Sequence, residues 1–307
     1  MKLSLSIATY NEEKNIHYPL DSAYDLVDEV VIVDGGSTDR TAEIAQSYGK
    51  KVRIINVDNV KMFHKNKQKA IEAARGDWIL QLDADEELSP ELKNEIKLVT
   101  GPVSSSFPSV LASNNTPRLP ACRQARRAAG TLSSRHPSLV AYWLPRKNWF
   151  LTRFLGKGGQ YPDYTIRLYK NGVAKFPCKD VHENVEIIDP KNSSRQARTI
   201  NNYLSSERSE SRNIGYLQNP ILHYADPDFS RYLMRWDRYT SLEVEKMPKD
   251  TKLGLFNYII WKPKITFLMM YFRHKGFMDG FPGFVFALFS SIRFWGIYIK
   301  WRARRQS

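Results

Sequence analysis

The chain has 307 residues, 42% of them hydrophobic, enough to bury one large core or two small ones. Its two cysteines, Cys122 and Cys178, exclude a disulfide framework and carry no metal-ligand spacing, which fits a reducing compartment. The formal net charge of +14 points to nucleic acid, an anionic membrane surface or phosphate-bearing substrates as partners.

In chain order, residues 3–8 alternate apolar and polar and read as a first strand. The stretch is too short and too alternating for a signal peptide, so the N-terminus is expected in the cytosol. A turn-rich T-Y-N-E-E follows, then a helix over about 12–27 and the apolar strand Val30-Val31-Ile32-Val33. Next come a glycine turn, a helix over about 39–48, a strand at 52–57, a helix over about 65–75 and a strand at 78–82. Strands separated by helices of this length imply a parallel sheet with right-handed crossovers. Ligands of such sheets bind at the carboxyl ends of the strands.

Residues 101–138, rich in Ser, Pro, Arg and Ala with no sustained period, and the polar stretch 191–213 lack the apolar residues to repay chain ordering, so both read as exposed, disordered insertions. Between them, Y-W-L-P-R-K-N-W-F and G-G-Q-Y-P-D-Y-T-I-R-L-Y have the β-branched and aromatic content of strands that complete the sheet. The organisation expected is a catalytic domain over 1–220 and a helical, basic and aromatic extension over 221–307. Residues 281–299 of that extension are nearly long enough to cross a bilayer, but Arg293 inside and Gly and Pro at the start argue against a clean span. Dense aromatics beside Lys and Arg suit a helix lying in the headgroup region of an anionic membrane; the alternative is a buried aromatic core helix.

The chemistry concentrates at three strand ends. Leu82-Asp83-Ala84-Asp85-Glu86-Glu87 places two carboxylates at i and i+2 just beyond a strand. Hard oxygen ligands of this kind suit Mg2+ or Mn2+, which neutralise a departing diphosphate. The competing reading is an acidic loop before a helix capped by Ser89, with Glu86 or Glu87 facing solvent. Val33-Asp34-Gly35-Gly36-Ser37-Thr38-Asp39 puts a carboxylate at the second strand end, where it can accept hydrogen bonds from a nucleobase imide. Its two glycines permit an unusual backbone, and Ser37 to Asp39 can cap the next helix.

Together, A-T-Y-N-E-E, V-D-G-G-S-T-D-R-T and A-R-G-D-W-I-L-Q-L-D-A-D-E closely resemble glycosyltransferase family 2 enzymes. R-K-N-W-F, V-H-E-N and G-F-M-D-G-F-P-G-F further resemble bacterial enzymes that glucosylate the lipopolysaccharide inner core. The resemblance implies a GT-A, Rossmann-like, mostly parallel sheet with helices on both faces. It places Thr9 and Glu12 in the nucleotide pocket, Asp34 against a uracil-type base, Asp83 on the ribose or metal side, and Asp85 as direct metal ligand. Lys67 falls where a basic residue approaches the nucleotide, or else is a solvated member of the run Lys65-Asn66-Lys67-Gln68-Lys69.

An inverting transfer needs a carboxylate base for the acceptor hydroxyl. Asp163 in P-D-Y is favoured, with Glu183 in V-H-E-N as competitor and His182 beside it as a further metal or phosphate ligand. Arg167 is left between a phosphate and an exposed carboxylate. The expectation is a metal-dependent hexosyltransferase, peripheral on the cytoplasmic face of the inner membrane, with a UDP-sugar donor and a lipid-linked or lipopolysaccharide saccharide acceptor. Its rivals are a nucleotidyltransferase or sugar-nucleotide synthase, which lacks its glycine-rich phosphate loop here, and a nucleic-acid binder. The spread of basic residues over insertions and tail speaks against the latter, and no nucleic-acid partner is expected.

Overall fold

A computed structural model describes residues 1–58, 63–101, 139–178, 185–188, 214–248 and 250–305. Both expected insertions fall almost wholly outside them. The chain forms two compact units, one of Met1–Pro145 with Tyr164–Ile221, the other of Arg146–Asp163 with Leu222–Ser307.

The first unit opens as a strand–helix alternation. In order it has β1 (Leu3–Thr9), α1 (His17–Ala23), β2 (Glu29–Asp34), α2 (Thr41–Ser47), β3 (Val52–Asn56), α3 (His64–Ala73), β4 (Trp78–Gln81), β5 (Glu86–Leu88) and α4 (Pro90–Thr100). The strands β6 (Ala141–Phe150), with β7 (Arg153–Phe154) hydrogen-bonded to its end, and β8 (Asp163–Lys170) follow. The short β9 (Ala174–Lys175), β10 (Glu186–Ile187) and β11 (Ile214–Tyr216) come last, while β7 and all but the first residue of β12 (Ile221–Asp226) belong to the second unit. The sheet order runs β3-β2-β1-β4-β8-β6, with β11 parallel to β6. β1, β2, β3 and β4 are mutually parallel, and β8 joins β4 antiparallel. The expected mixed, largely parallel α/β sheet is therefore present, with an antiparallel strand where the sequence turns aromatic.

Residue alternation sorts the helices onto two faces. Val30, Ile32, Trp78 and Leu80 cluster with Leu20 of α1, Ala45 of α2 and Ile96 of α4. Val31 and Ile79, one residue out of step, cluster with Ile71 of α3. The first helix is shorter than the expected 12–27 because its first turns bond elsewhere. Asn11, at φ 54°, accepts from the Thr38 amide, and the Glu12 and Glu13 amides donate to Thr41 Oγ1 and Asp39 Oδ2. Asp39 also receives the Thr41 amide, while Arg40, the residue that precedes α2, makes no side-chain cap. α4 follows the sequence closely: Ser89 Oγ accepts from the Leu92 amide, with Pro90 in the first turn.

Glycine matters at the foot of β4. A Cβ on Gly76 would stand 2.8 Å from the Ser4 amide nitrogen and 2.5 Å from Ser4 Oγ, which accepts the Gly76 amide. Gly76→Ala must push β1 away from the turn into β4. It is expected to cost roughly 1–3 kcal/mol, read as a lower urea midpoint; an unchanged midpoint would refute the close approach.

In the second unit, α5 (Phe229–Glu245) starts at Asp228, whose Oδ1 accepts from the Arg231 amide. A π-helical turn (Asn257–Trp261), α6 (Lys262–Phe267), a second π-helical turn (Leu268–Arg273) and a 3-10 turn (Gly276–Asp279) lead into the 25-residue α7 (Gly280–Arg304). Trp236 Nε1 donates to the Phe289 carbonyl, and a Cβ on Gly296 would lie 2.7 Å from the Trp236 ring, so α7 lies close along α5. Asp279, buried, accepts the Gly156 and Lys157 amides.

Candidate active site

The carboxyl ends of β1, β2 and β4 carry the first group of expected residues, and the structure gathers them on one sheet edge. Parallel register sets Thr9 opposite Asp34. Thr9 Oγ1 donates to Asp34 Oδ1 at 2.9 Å, while the Ser37 hydroxyl and amide hold Oδ1 and Oδ2 at 2.5 and 2.8 Å. Asp34 is thus a buried, oriented carboxylate at the mouth of the D-G-G-S turn. Of the two glycines only Gly36 has positive φ, at 77°. Gly35 instead comes close to Thr9, donating its amide to the Thr9 carbonyl at 2.9 Å. Glu12 is half-buried and its Oε2 accepts from Asn15 Nδ2.

At the end of β4, Asp83 to Glu86 form a closed turn. The Glu86 amide donates to the Asp83 carbonyl at 3.1 Å, and Glu86 Oε2 receives the Asp83 amide at 2.9 Å. Asp85 lies between these ends, half-buried. Arg167 of β8 clamps the turn from the neighbouring strand, donating to Asp83 Oδ2 at 2.7 Å and Glu86 Oε1 at 2.8 Å, and also to Gln81 Oε1. Lys67 of α3 reaches the other oxygen of Asp83 at 2.5 Å.

These contacts correct three expectations. Lys67 is not a solvated member of its run: it is 7% exposed, its ammonium turned to Asp83. Glu86 is fully buried rather than solvent-facing, because its two oxygens serve Arg167 and the Asp83 amide. The carboxylates bound by Arg167 are not exposed ones: Glu86 is buried and Asp83 half-buried. Burial alone would raise the Asp83 carboxyl, but Arg167 and Lys67 outweigh it and hold it well below the usual carboxylate range. Burial pulls the Lys67 ammonium below its ordinary value, against the pull of Asp83. The Arg167 guanidinium, despite burial, is driven up by Asp83 and Glu86.

Asp163, the favoured base, opens β8 in the other unit. Arg146 Nε and Nη2 both donate to its Oδ2, at 3.1 and 2.7 Å. Glu183 and His182 lie outside the described residues. The described residues contain no group of three His, Cys, Asp or Glu able to hold a metal between them. The donor set that is present, a carboxylate turn at a strand end, fits an ion bound through one or two carboxylates plus phosphate oxygens and water, as Mg2+ commonly is.

Comparison with known proteins settles the family. The model of "Glycosyl transferase family 2" matches residues 4–154, about half of the chain. Residues 4–154 are a glycosyltransferase family 2 domain. The matched stretch of the domain contains Thr9, Glu12, Asp34, Lys67, Asp83 and Asp85, whereas Asp163, His182 and Glu183 lie beyond it. Over almost the whole chain, the protein is 24% identical to the lipopolysaccharide core biosynthesis glycosyltransferase LpsC of Rhizobium meliloti, covering 95% of this chain and 88% of that protein. It is 27% identical to an uncharacterised glycosyltransferase of Rickettsia typhi, over 92% of this chain and 81% of the relative. A Rickettsia bellii glycosyltransferase is 42% identical over 101 residues, 32% of each chain. Among solved structures, the mannosyltransferase PcManGT of Pyrobaculum calidifontis in complex with GDP-Man and Mn2+ is similar at 11% identity and a TM-score of 0.47. That match covers 99% of this chain and 88% of the other. S. aureus TarS 1-349 in complex with UDP-GlcNAc is similar at 14% identity and a TM-score of 0.41, covering 100% and 92%.

What the sequence did not single out is the supporting frame of the family 2 site. Gln81 looks like an ordinary polar residue in the sequence, and Ser37, expected to cap the next helix, instead holds Asp34. Their one signal is position: Gln81 is a lone polar residue in the apolar W-I-L-Q-L, and Ser37 stands three residues after Asp34.

Proposed function

We propose that this glycosyltransferase moves a hexose, with inversion, from a UDP-sugar of the UDP-glucose type to a lipid-linked or lipopolysaccharide-core saccharide. It works at the cytoplasmic face of the inner membrane with Mg2+ or Mn2+. The observation that carries the reading is the pair of oriented carboxylates at the ends of β2 and β4, the two strands that flank β1. Asp34 is fixed by Thr9 and Ser37, and the Asp83–Glu86 turn is clamped by Arg167.

Asp34 is the acceptor assigned to the imide N–H of uracil, and its held orientation supports that role. Thr9 and Ser37 donate to it, so the carboxylate is oriented before any nucleotide arrives. Two further groups support a polar ligand here. Asn66 Oδ1 and Arg167 Nε are buried with no hydrogen-bond partner among the described residues, a state that buried polar groups rarely keep. Asn66 Nδ2 lies where a Cβ on Gly35 would come within 3.4 Å, which puts Asn66 next to the D-G-G turn. Asp83 is tied to Lys67 and Arg167, and the resemblance of L-D-A-D-E to family 2 enzymes assigns the metal to Asp85. A divalent ion held there would neutralise the charge that develops on the departing diphosphate. The acceptor proton goes to a carboxylate of this chain, Asp163 or Glu183. Relatedness to LpsC favours a lipopolysaccharide-core acceptor.

Isothermal titration with UDP tests the donor assignment. Binding is expected to strengthen with Mn2+ in the parent protein and to lose that metal dependence in Asp85→Ala. Metal-dependent binding that survives in the variant would take the metal away from Asp85. Absence of binding in a folded parent would overturn the UDP assignment itself.

A further inference from the structure

The second unit carries an apolar surface that its own fold leaves uncovered. Phe267, Tyr271, Phe272, Phe277 and Phe284 form one connected aromatic cluster, with ring centroids 5.1–6.4 Å apart in each touching pair. Phe272 is 56% exposed and Phe277 49%. Next to them in the chain, Met278 is 53% and Phe281 71% exposed. An apolar patch of connected rings on a protein surface marks a binding site.

Charge identifies the occupant. From Thr251 to Arg305 the sequence holds five lysines and five arginines against a single acid, Asp279. That acid is buried, its carboxylate taken by the Gly156 and Lys157 amides, so it offsets nothing at the surface. Arg273 and Lys275 are exposed in the same turn that presents Phe272 and Phe277. Aromatic side chains beside exposed cations match the boundary between acyl chains and anionic headgroups. A second copy of the same face would bring like charges together, which disfavours self-association.

The packing of α7 fixes how the surface can engage. Residues Gly276–Arg304 are long and apolar enough to cross a bilayer by length and composition. Yet Val285, Ala287, Ser291, Ile297, Tyr298 and Trp301 are buried within the protein. Trp295 Nε1 donates to the Ile259 carbonyl, and Lys300 Nζ to the Asp237, Thr240 and Ser241 oxygens of α5. A crossing helix would strip all of these and carry Lys300 and Arg293 into hydrocarbon.

We propose that the Phe267–Phe284 aromatic patch inserts into the interface of an anionic bilayer, with Arg273 and Lys275 on the headgroups and α7 lying in the membrane plane without spanning it. This deepens the membrane location proposed above by naming the surface, the lipid chemistry and the mode.

Vesicle flotation of the full chain tests it. Binding is expected to vesicles containing phosphatidylglycerol and to be weak to pure phosphatidylcholine. Phe272→Ser/Phe277→Ser/Phe281→Ser is expected to weaken binding to the anionic vesicles at least roughly tenfold. Arg273→Gln/Lys275→Gln should weaken it by a similar factor at low salt and flatten its salt dependence. Sodium carbonate is expected to release the protein from native membranes. Equal binding to both vesicle types, undiminished binding by the triple variant, or retention after carbonate would each overturn the proposal. So would an oligomer of the parent that dissociates in the triple variant, which would give the patch to a second copy. UDP titration of the same variants in solution separates this from the catalytic reading. Both variants should bind UDP as the parent does, and that result also shows that they fold.

Discussion

Replacing Arg167 with methionine is expected to lower the free energy of unfolding by about 3–5 kcal/mol, the usual cost of stranding a buried charge. The guanidinium, 6% exposed, is the cation shared by Asp83 and Glu86, and Glu86 has no solvent exposure at all. Methionine fills much of the same volume, so the loss is electrostatic rather than a cavity. Lysine at the position keeps a charge but cannot reach Gln81, Asp83 and Glu86 together, and should recover only part of the loss. A double-mutant cycle sharpens the point: Arg167→Met with Asp83→Asn should cost less than the sum of the singles, since the second change removes one stranded carboxylate. Additive costs would mean that the clamp carries no coupling energy.

The same network fixes the sign of a pH effect. Asp83 is held below its ordinary value of 3.8, so its contribution is fully present above that value and is lost as pH falls toward the depressed folded value. The stability gap between the parent and Asp83→Asn should therefore be flat near neutrality and narrow only in acid. The clamp also links stability to function. Arg167 grips both ends of the turn whose middle residue is Asp85, so Arg167→Met should blunt metal-dependent UDP binding even where the protein remains folded.

How much of this was legible in the sequence follows from what each residue bonds to. The placement of Thr9, Asp34, Asp83 and Asp85 at one sheet edge was readable because each stands at or just beyond a strand end, and parallel strands bring such ends together. The parallel register of β1 and β2 then sets Thr9 opposite Asp34. The roles of Lys67 and Arg167 were not readable. Lys67 sits in a run of basic residues on α3, and only the tertiary fold turns it toward Asp83 while its neighbours Lys65 and Lys69 stay exposed. Arg167 joins Asp83 across 84 residues through an antiparallel strand, a pairing that no local pattern encodes. Glu86 looked like a third acid of a solvated loop because its cation lies 81 residues away in sequence. Helix ends were missed where loop residues bond to the start of another helix and the turn before it, as Glu12 and Glu13 do with Thr41 and Asp39.

The identity of the base is open to one direct comparison. Asp163→Asn is expected to reduce hexosyl transfer by about 10²–10⁴-fold, the range for loss of general-base catalysis. Its affinity for UDP should stay unchanged. Both Arg146 bonds end on Oδ2, so Oδ1 of Asp163 has no hydrogen bond from any described residue and can take a proton from an acceptor hydroxyl. Arg146 also holds the carboxylate in one orientation, which a base must keep through the transfer. Asparagine preserves the shape and most of the hydrogen bonding while removing basicity. A loss confined to kcat, with KM for donor and acceptor unchanged, therefore points to chemistry rather than binding. A base also leaves a signature that a structural residue does not: the acidic limb of the pH–kcat/KM profile should vanish in Asp163→Asn. The same measurements on Glu183→Gln decide between the two carboxylates. If the large loss and the missing acidic limb appear there, with Asp163→Asn nearly as active as the parent, then Glu183 is the base and the Arg146–Asp163 pair is structural.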